Sequence, residues 1–260
     1  MPDQLLDTAA TASAGAPLLA SLVIPARNEA GNMAPLIADI ERMAEGFGAL
    51  EVIVVSDGSI DGTDAELVRL MATRPWLRAL RHDRSCGQSA AIRTGARVAG
   101  SRVIVTLDGD GQNDPAFVPA LVRALVDGGP AVGLAQGQRV GRKDTVSKRY
   151  QSKIANAVRR AVLRDDTRDT GCGLKAFPRE LYLTLPYFDA LHRFMPALVR
   201  REGYEVRLVD VLDRPRFTGR SNYGIWDRVW VGMLDLAGVW WLIRRRRSSP
   251  VVTEVPGHAG

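Results

Sequence analysis

The 260-residue chain predicts an α/β fold, a mostly parallel sheet flanked by helices, with an amphipathic helix near the C-terminal end. Three observations carry this. Short apolar runs alternate with segments of helical spacing, the β-α-β-α rhythm of a sheet covered on its faces by helices. Two of those runs end in acid-bearing, glycine-containing turns, Ser56-Asp57-Gly58-Ser59 and Asp108-Gly109-Asp110-Gly111-Gln112. In open sheets of this kind ligands bind beyond the carboxyl ends of the strands, so both turns can line one crevice. The apolar fraction of 46% is ordinary for a globular domain, which supports one sizeable core and excludes global disorder.

The elements follow in order. Residues 18–25 form an apolar run, the first strand, with Asn28 and Glu29 in the loop after it. Residues 33–45 carry helical spacing. Residues 51–55 are a second buried strand running into Ser56 and Asp57. Residues 63–73 read as a helix, with Asp61 or Thr63 as N-cap, since either side chain can accept from a free first-turn amide. Residues 77–81 are a third strand, 89–99 a helix rich in small residues, and 102–107 a fourth strand leading into the Asp108 turn. Residues 115–127 are helical, with Pro115 in the first turn, where its missing N–H costs nothing. The second half is less regular. It holds a basic helical stretch over 144–163, a glycine-punctuated loop over 169–177 and short helices over 178–185 and 190–202. A strand over 205–211, a basic loop over 214–223 and an apolar helix over 226–243 complete it, before Arg244-Arg245-Arg246-Arg247. The expected organisation is a loose tail over 1–16, one domain over 17–225, a helix with a basic flank over 226–247 and a second tail over 248–260.

A net charge of +6 suits phosphate-bearing partners or an anionic membrane surface. The cations sit in discrete loops without interleaved aromatics, which argues against nucleic acid. Cys86 and Cys172 are far apart with no CxxC spacing, so neither a zinc site nor a disulfide framework is indicated, and a reducing cytosolic setting is the default. His82, His192 and His258 lack metal-ligand spacing and read as surface or packing residues. The N-terminus lacks the pattern of a secretory signal. No run of 18 apolar residues suggests an ordinary membrane span.

Asp108 and Asp110 lie at i and i+2 at the end of a strand, with Gly109 between them to let the backbone bend. Both carboxylates can then turn toward one hard divalent cation, which keeps open positions for waters and phosphate oxygens. The stretch therefore reads as a metal–diphosphate site, pointing to chemistry on a nucleotide-activated substrate.

An ordered series of motifs extends this. Ile24-Pro25-Ala26-Arg27-Asn28-Glu29, Val55-Ser56-Asp57-Gly58-Ser59-Ile60-Asp61-Gly62-Thr63 and Gly87-Gln88-Ser89-Ala90-Ala91 precede the acidic turn. Asp108-Gly109-Asp110-Gly111-Gln112-Asn113-Asp114-Pro115, Asp169-Thr170-Gly171-Cys172-Gly173-Leu174-Lys175-Ala176-Phe177 and a late loop, Arg214-Pro215-Arg216 with Gly219-Arg220-Ser221-Asn222-Tyr223, complete the set. Over roughly residues 18–243 the chain resembles an inverting family 2 glycosyltransferase with the Rossmann-like GT-A fold, of the polyprenyl-phosphate, dolichol-phosphate mannosyltransferase-like branch.

The resemblance implies roles. Asp108, Asp110 and Gln112 would surround Mg²⁺ or Mn²⁺ and the donor diphosphate. Pro25, Arg27, Glu29, Ser56, Asp57, Gly87, Gln88 and Gly109, together with Asp108 and Asp110, would contact the nucleoside-diphosphate sugar. Arg216 and Ser221 of the late loop would close over it. Arg139, Arg149 and Ser152 would lie near the acceptor phosphate, and Asp108, Asp110 and Arg139 would be the catalytic set. The chain departs from the family pattern at Ser56, where an Asp is usual, and at Asp213 and Asn222, where His and Lys are more frequent. The first departure bears on base and ribose recognition, the other two on the late loop.

A polyprenyl phosphate is already anionic near neutral pH and needs positioning and charge screening, whereas a sugar hydroxyl would need a general base. Asp169 is the candidate for that base. The helical run 229–243 is about 22 Å long, short of the ~30 Å hydrocarbon core. Trp226, Trp230, Trp240 and Trp241 with four following arginines fit an interfacial helix at an anionic leaflet; packing on the protein or in a dimer interface is the plainer alternative. The expectation is thus a metal-dependent transferase, peripheral on the cytoplasmic face of the membrane and possible as a homo-oligomer. It would move a sugar from a UDP- or GDP-linked donor to a polyprenyl phosphate, for a cell-envelope glycan or lipid. Transfer to a polysaccharide hydroxyl and a non-catalytic nucleotide- or membrane-binding module are the competitors.

Overall fold

The computed structural model describes residues 18–140, 159, 162, 163, 165, 167, 169–215 and 225–245, the last segment with side chains from 231. In chain order the elements are β1 (Ala20–Ala26), α1 (Met33–Ala44), β2 (Leu50–Asp57), α2 (Thr63–Met71), β3 (Leu77–His82), α3 (Gln88–Val98) and β4 (Val103–Thr106). There follow α4 (Val118–Val126), β5 (Val132–Arg139), β6 (Lys175–Pro178), α5 (Arg179–Thr184), α6 (Leu191–Arg201), β7 (Glu205–Val211) and α7 (Ile225–Arg245).

The seven described strands form one sheet in the order β3-β2-β1-β4-β6-β5-β7. Strand β1 pairs in parallel with both β2 and β4, β2 with β3, and β5 with β7, while β6 runs antiparallel to β4 and β5. The strand order reverses about β1, and such a switch point opens a crevice at the carboxyl ends of the strands. Successive side chains of a strand face opposite sides, and the core divides accordingly. Leu22, Ile24, Val52, Val54 and Val105 pack with α1 and α4 through Met33, Leu36, Ile37, Ile40 and Leu121. Val23, Ile53, Val55 and Ile104 face the other way, against Ala91 and Ile92 of α3, Leu198 of α6 and Val239 of α7. Burial on both faces explains the unbroken apolar runs from which the first strands are read.

Of the two candidate caps on α2, Asp61 accepts from the Thr63 amide, at 3.0 Å. Strands β5 and β6 correct the sequence reading, which has no strand at 132–139 and a loop through 177. Strand β5 reads Val-Gly-Leu-Ala-Gln-Gly-Gln-Arg, with two glycines and two glutamines that break any apolar pattern. Gly133 is there because the packing is close: a Cβ would lie 2.7 Å from Leu181 and Tyr204 atoms and 2.8 Å from Val199. Strand β6 is four residues long and begins with a buried lysine. Helix α7 packs one edge on the domain, through Val239 and a 3.1 Å hydrogen bond from Arg201 Nε to the Leu242 carbonyl. It leaves Val231, Met233, Leu234, Trp240 and Trp241 exposed. Most of the basic stretch 144–163 and the part of the late loop beyond residue 215 lie outside the described residues.

Candidate active site

Strand β4 delivers the acidic turn to the crevice. The Asp108 amide donates to Asn113 Oδ1 at 2.9 Å, and the Gln112 amide to Asp110 Oδ1 at 3.0 Å, so the turn closes on its own side chains. Gln88 Nε2, at the start of α3, donates to Asp108 Oδ1 at 2.8 Å. Gly109 passes the end of β1, where a Cβ would sit 3.0 Å from the Pro25 carbonyl oxygen. Gly173 approaches from beyond β6 so closely that a Cβ would lie 2.3 Å from both Asp108 Oδ2 and Asn113 Oδ1. Burial raises the Asp108 pKa to about 6, the like charge of Asp110 adds to this, and Lys175, Arg139 and the Gln88 hydrogen bond oppose it. Two neighbouring carboxylates, one of them destabilised as an anion, are the donor set that a hard divalent cation relieves, and Asp108 and Asp110 could hold one. Gln112 follows directly; its carbonyl accepts from the Arg214 amide at 2.9 Å. Arg214 also pairs with Asp39 at 2.5 Å and Asp114 at 2.6 Å, which stitches the start of the late loop to the turn.

The Asp57 turn lies alongside. Asp57 Oδ1 accepts from the Cys86 amide and Oδ2 from the Gly87 amide, at 2.8 and 2.9 Å. Ser85 Oγ donates to Oδ2 at 2.8 Å, and His82 Nδ1 lies 2.7 Å from Oδ1. Burial pulls the Asp57 pKa upward, but these hydrogen bonds together hold it below the ordinary 3.8. Asp57, His82 and Cys86 place three donor atoms within 4.8 Å of one another, the geometry of a possible cation site. The carboxylate oxygens there are already engaged by the loop, which makes Asp57 its brace. Gly58, at φ +64, passes so near Arg84 that a Cβ would meet its carbonyl carbon at 2.5 Å. Ser56 is buried with its hydroxyl donating to Ser59 Oγ at 3.0 Å. Asn28 and Glu29 join this turn through their amides, to Ser59 Oγ at 3.1 Å and Thr63 Oγ1 at 2.9 Å, while Arg27 is exposed. Gly87 and Gln88 thus connect the two acid-bearing turns, one through Asp57 and the other through Asp108.

Arg139, at the end of β5, forms a fork on Asp169 with Nε–Oδ2 at 2.5 Å and Nη2–Oδ1 at 2.9 Å, and reaches Asp213 at 3.4 Å. Burial raises the Asp169 carboxyl, yet the Arg139 hydrogen bond and charge hold it below 3.8 overall. The departure at Asp213 therefore supplies a partner for Arg139. Between Asp108 and Asp169 opens a cavity of about 330 Å³, lined also by Gln88, Thr106, Gly173, Lys175, His192 and Arg193. Lys175 is 2% exposed, and pairing of β6 with β4 sets it opposite Thr106, two residues before Asp108. The three lining residues Lys175, His192 and Arg193 are absent from the candidate site residues of the sequence. Lys175 stands inside a quoted motif without an assigned role, and His192 reads as a surface or packing residue. No local pattern marks them, because α6 meets the cavity only through tertiary packing. Arg149, Ser152, Arg216 and Ser221 lie outside the described residues.

A mostly parallel sheet with an acid pair just beyond β4 and a cavity beside it defines an α/β class of protein whose candidate ligand site lies at the carboxyl ends of the strands. Residues 21–185 match the profile of glycosyl transferase family 2, and the chain belongs to that family. It is 32% identical over 246 residues to a dodecaprenyl-phosphate galacturonate synthase of Rhizobium johnstonii, a match covering 92% of this chain and 69% of the relative. It is 32% identical over 206 residues to an undecaprenyl-phosphate 4-deoxy-4-formamido-L-arabinose transferase of Pectobacterium carotovorum subsp. carotovorum, covering 78% of this chain and 62% of the relative. The match thus spans less than two thirds of the latter's length. Glucosyl-3-phosphoglycerate synthase from Mycobacterium tuberculosis, solved with Mn²⁺, UDP and phosphoglyceric acid, shares the fold at a TM-score of 0.65 and 21% identity, covering 88% of this chain and 80% of that one. The same enzyme has also been solved with Mg²⁺ and UDP, at a TM-score of 0.66 and 20% identity.

Proposed function

We propose that the chain transfers a sugar from a nucleoside-diphosphate donor to a polyprenyl phosphate, with inversion at the anomeric carbon. The observation that carries this is the acid turn of Asp108 and Asp110, whose Asp108 lines a cavity that is also lined by the cations Arg139, Lys175 and Arg193. The polyprenyl-phosphate transferases among its relatives support the acceptor class. Asp108 and Asp110, with Gln112 beside them, would hold Mg²⁺ or Mn²⁺, which when bound offsets the charge developing on the leaving diphosphate. Gln88 orients Asp108. Pro25, Glu29, Ser56 and Asp57 shape the nucleotide side of the crevice. The acceptor phosphate oxygen attacks the anomeric carbon as the bond to the diphosphate breaks, and no proton need be removed.

Asp169 favours this reading over transfer to a sugar hydroxyl. A general base works best with a pKa near the working pH, whereas Asp169 is ion-paired with Arg139 and held below 3.8. It is suited to fixing Arg139 rather than to accepting a proton.

No helix among the described residues is long and apolar enough to cross a membrane. Exposed apolar side chains on α7, with Arg244 over the Trp240 ring at 4.5 Å and Arg245 over Trp241 at 5.8 Å, support peripheral docking at the cytoplasmic leaflet, where a lipid-linked phosphate lies at headgroup depth. The test is incubation of purified protein with labelled UDP- and GDP-sugars, polyprenyl phosphate and Mn²⁺ or Mg²⁺. Label in an acid-labile lipid fraction, lost in Asp110→Asn, is the expected result. Retained nucleotide binding without transfer from any donor would refute the enzymatic reading, and unchanged turnover in Asp110→Asn would remove the acid pair from the mechanism.

A further inference from the structure

Away from the acid turn, His82 and Cys86 stand four residues apart in the loop that leaves β3. Strand pairing adds a third donor to them. Parallel β2 and β3 set Asp57 opposite His82, at the carboxyl ends of both strands. The loop then turns back over Asp57, whose carboxylate accepts from the Cys86 and Gly87 amides at 2.8 and 2.9 Å. A carboxylate oxygen, an imidazole nitrogen and a thiol sulfur thereby converge within 4.8 Å of one another.

Each member has capacity left for a cation. A carboxylate offers about four lone pairs. Asp57 commits Oδ2 to Ser85 and Gly87, and on Oδ1 one lone pair goes to the Cys86 amide. The other lone pair of Oδ1 faces His82 Nδ1 at 2.7 Å. An ionised carboxylate only accepts, so the ring proton lies on Nδ1 and Nε2 accepts from Thr94 Oγ1 at 2.9 Å. A hydroxyl both donates and accepts, so Thr94 serves equally when the proton moves to Nε2 and Nδ1 is bare. Such a partner on the far ring nitrogen is the usual support of a metal-bound histidine. Cys86 is exposed, and its Sγ contact to the Arg84 carbonyl is a weak one at 3.6 Å, so the thiol can turn. Around a tetrahedral zinc, with bonds of about 2.0–2.3 Å, ligand atoms lie roughly 3.3–3.6 Å apart. The three donors therefore need to move by only about 1 Å.

We propose that Asp57, His82 and Cys86 bind Zn²⁺ or another thiophilic divalent cation, at a site separate from the acid turn and with its fourth position open. The two donor sets differ in kind. Oxygen, nitrogen and sulfur together suit Zn²⁺, whereas the carboxylates of Asp108 and Asp110 suit the harder Mg²⁺ or Mn²⁺. On binding, the Cys86 thiol proton leaves for solvent and the His82 ring proton passes from Nδ1 to Nε2, so the imidazole stays neutral. The bound ion ties the end of β2 to the loop that carries Gln88, whose side chain donates to Asp108. The site does not depend on the transfer reading, because none of its three ligands belongs to the acid turn.

The test is absorption spectroscopy of the whole, reduced chain titrated with Co²⁺, a coloured stand-in for Zn²⁺. The wild type should develop a near-ultraviolet thiolate-to-cobalt band, which carboxylates alone cannot give. Zn²⁺ should bleach that band and Mg²⁺ should not. Cys86→Ser, at an exposed position that leaves the core untouched, should abolish it. His82→Gln should weaken Co²⁺ at this site roughly 10-fold or more, and Thr94→Val roughly 10-fold through loss of the ring's support. Should His82→Gln melt without cooperativity, Thr94→Val carries that arm. Asp110→Asn should leave the band unchanged. No band in the wild type overturns the proposal. So does a band that survives Cys86→Ser, which would trace it to Cys172, or wild-type affinity in both His82→Gln and Thr94→Val, which would leave a lone thiol. Bleaching by Mg²⁺, or loss of the band in Asp110→Asn, would return the metal to the acid turn and overturn it as well.

Discussion

Replacing Gly173 by alanine tests the acid turn without touching a carboxylate. The added Cβ would lie 2.3 Å from Asp108 Oδ2 and from Asn113 Oδ1, where ordinary contacts are 3.4–4 Å. Neither neighbour can swing freely. Asp108 is held by Gln88 on its other oxygen, and the Asn113 oxygen accepts from the Asp108 amide. The backbone at Gly173 is also tethered, because its carbonyl accepts from Thr106 Oγ1 at 2.6 Å. The Asp108 carboxylate must therefore shift by about 1 Å, a misplacement that costs on the order of 10²-fold in rate where geometry governs chemistry. Mn²⁺ affinity, read from the electron paramagnetic resonance of free Mn²⁺, should fall together with turnover, while the thermal midpoint moves by only a few degrees. Gly62→Ala, whose Cβ would meet Ala30 Cβ at an ordinary 3.6 Å, is the control. Wild-type Mn²⁺ affinity and turnover in Gly173→Ala would refute the reasoning, since no arrangement of the observed atoms accommodates the methyl group without moving Asp108 or its partner.

Three further outcomes are expected. Asp57→Asn should lower stability at pH 7 by about 1–3 kcal/mol, because the loop amides and Ser85 lose a charged acceptor. The folded pKa of Asp57 lies below its ordinary 3.8, so the wild-type advantage is present above that pH and fades as pH falls through the folded value; urea melts at pH 7 and pH 3 check the sign. Asp169→Asn should cost about 2–3 kcal/mol in the same melts, less than the ~3–5 for a fully buried pair because both side chains keep some exposure. Trp240→Ser with Trp241→Ser should reduce co-sedimentation with anionic vesicles roughly 10-fold and leave the melting curve intact, as both rings face outward; unchanged sedimentation would detach α7 from the membrane.

How much was legible in the chain depended on whether a feature repeats or stands alone. Strands β1, β2 and β4 were readable because burial on both faces writes an unbroken apolar run, as in Val52-Ile53-Val54-Val55. Strand β5 was not, because Gly133 answers a close approach by Leu181, Val199 and Tyr204, residues 48 to 71 positions away in sequence. The acid turn and the Asp57 turn were readable because each is local. The bonds between them were not, since they pass through Ser85, Cys86, Gly87 and Gln88 of a third loop. Arg139 was legible as a cation, but its occupation by Asp169 and Asp213 was not.

By itself the sequence determined the α/β class, the acidic pair at a strand end, the glycosyltransferase resemblance and a Trp- and Arg-rich terminal helix. These are written in periodicity and in contiguous motifs, where neighbours in the chain are neighbours in space. Only the tertiary structure decided which charges meet, as where Arg139 pairs with Asp169 and Asp213. Pairing of β6 with β4 sets the buried Lys175 opposite Thr106, two residues before Asp108, and packing of α6 brings His192 and Arg193 to the same cavity. Electrostatic balance depends on distance and burial, and neither can be read along the chain.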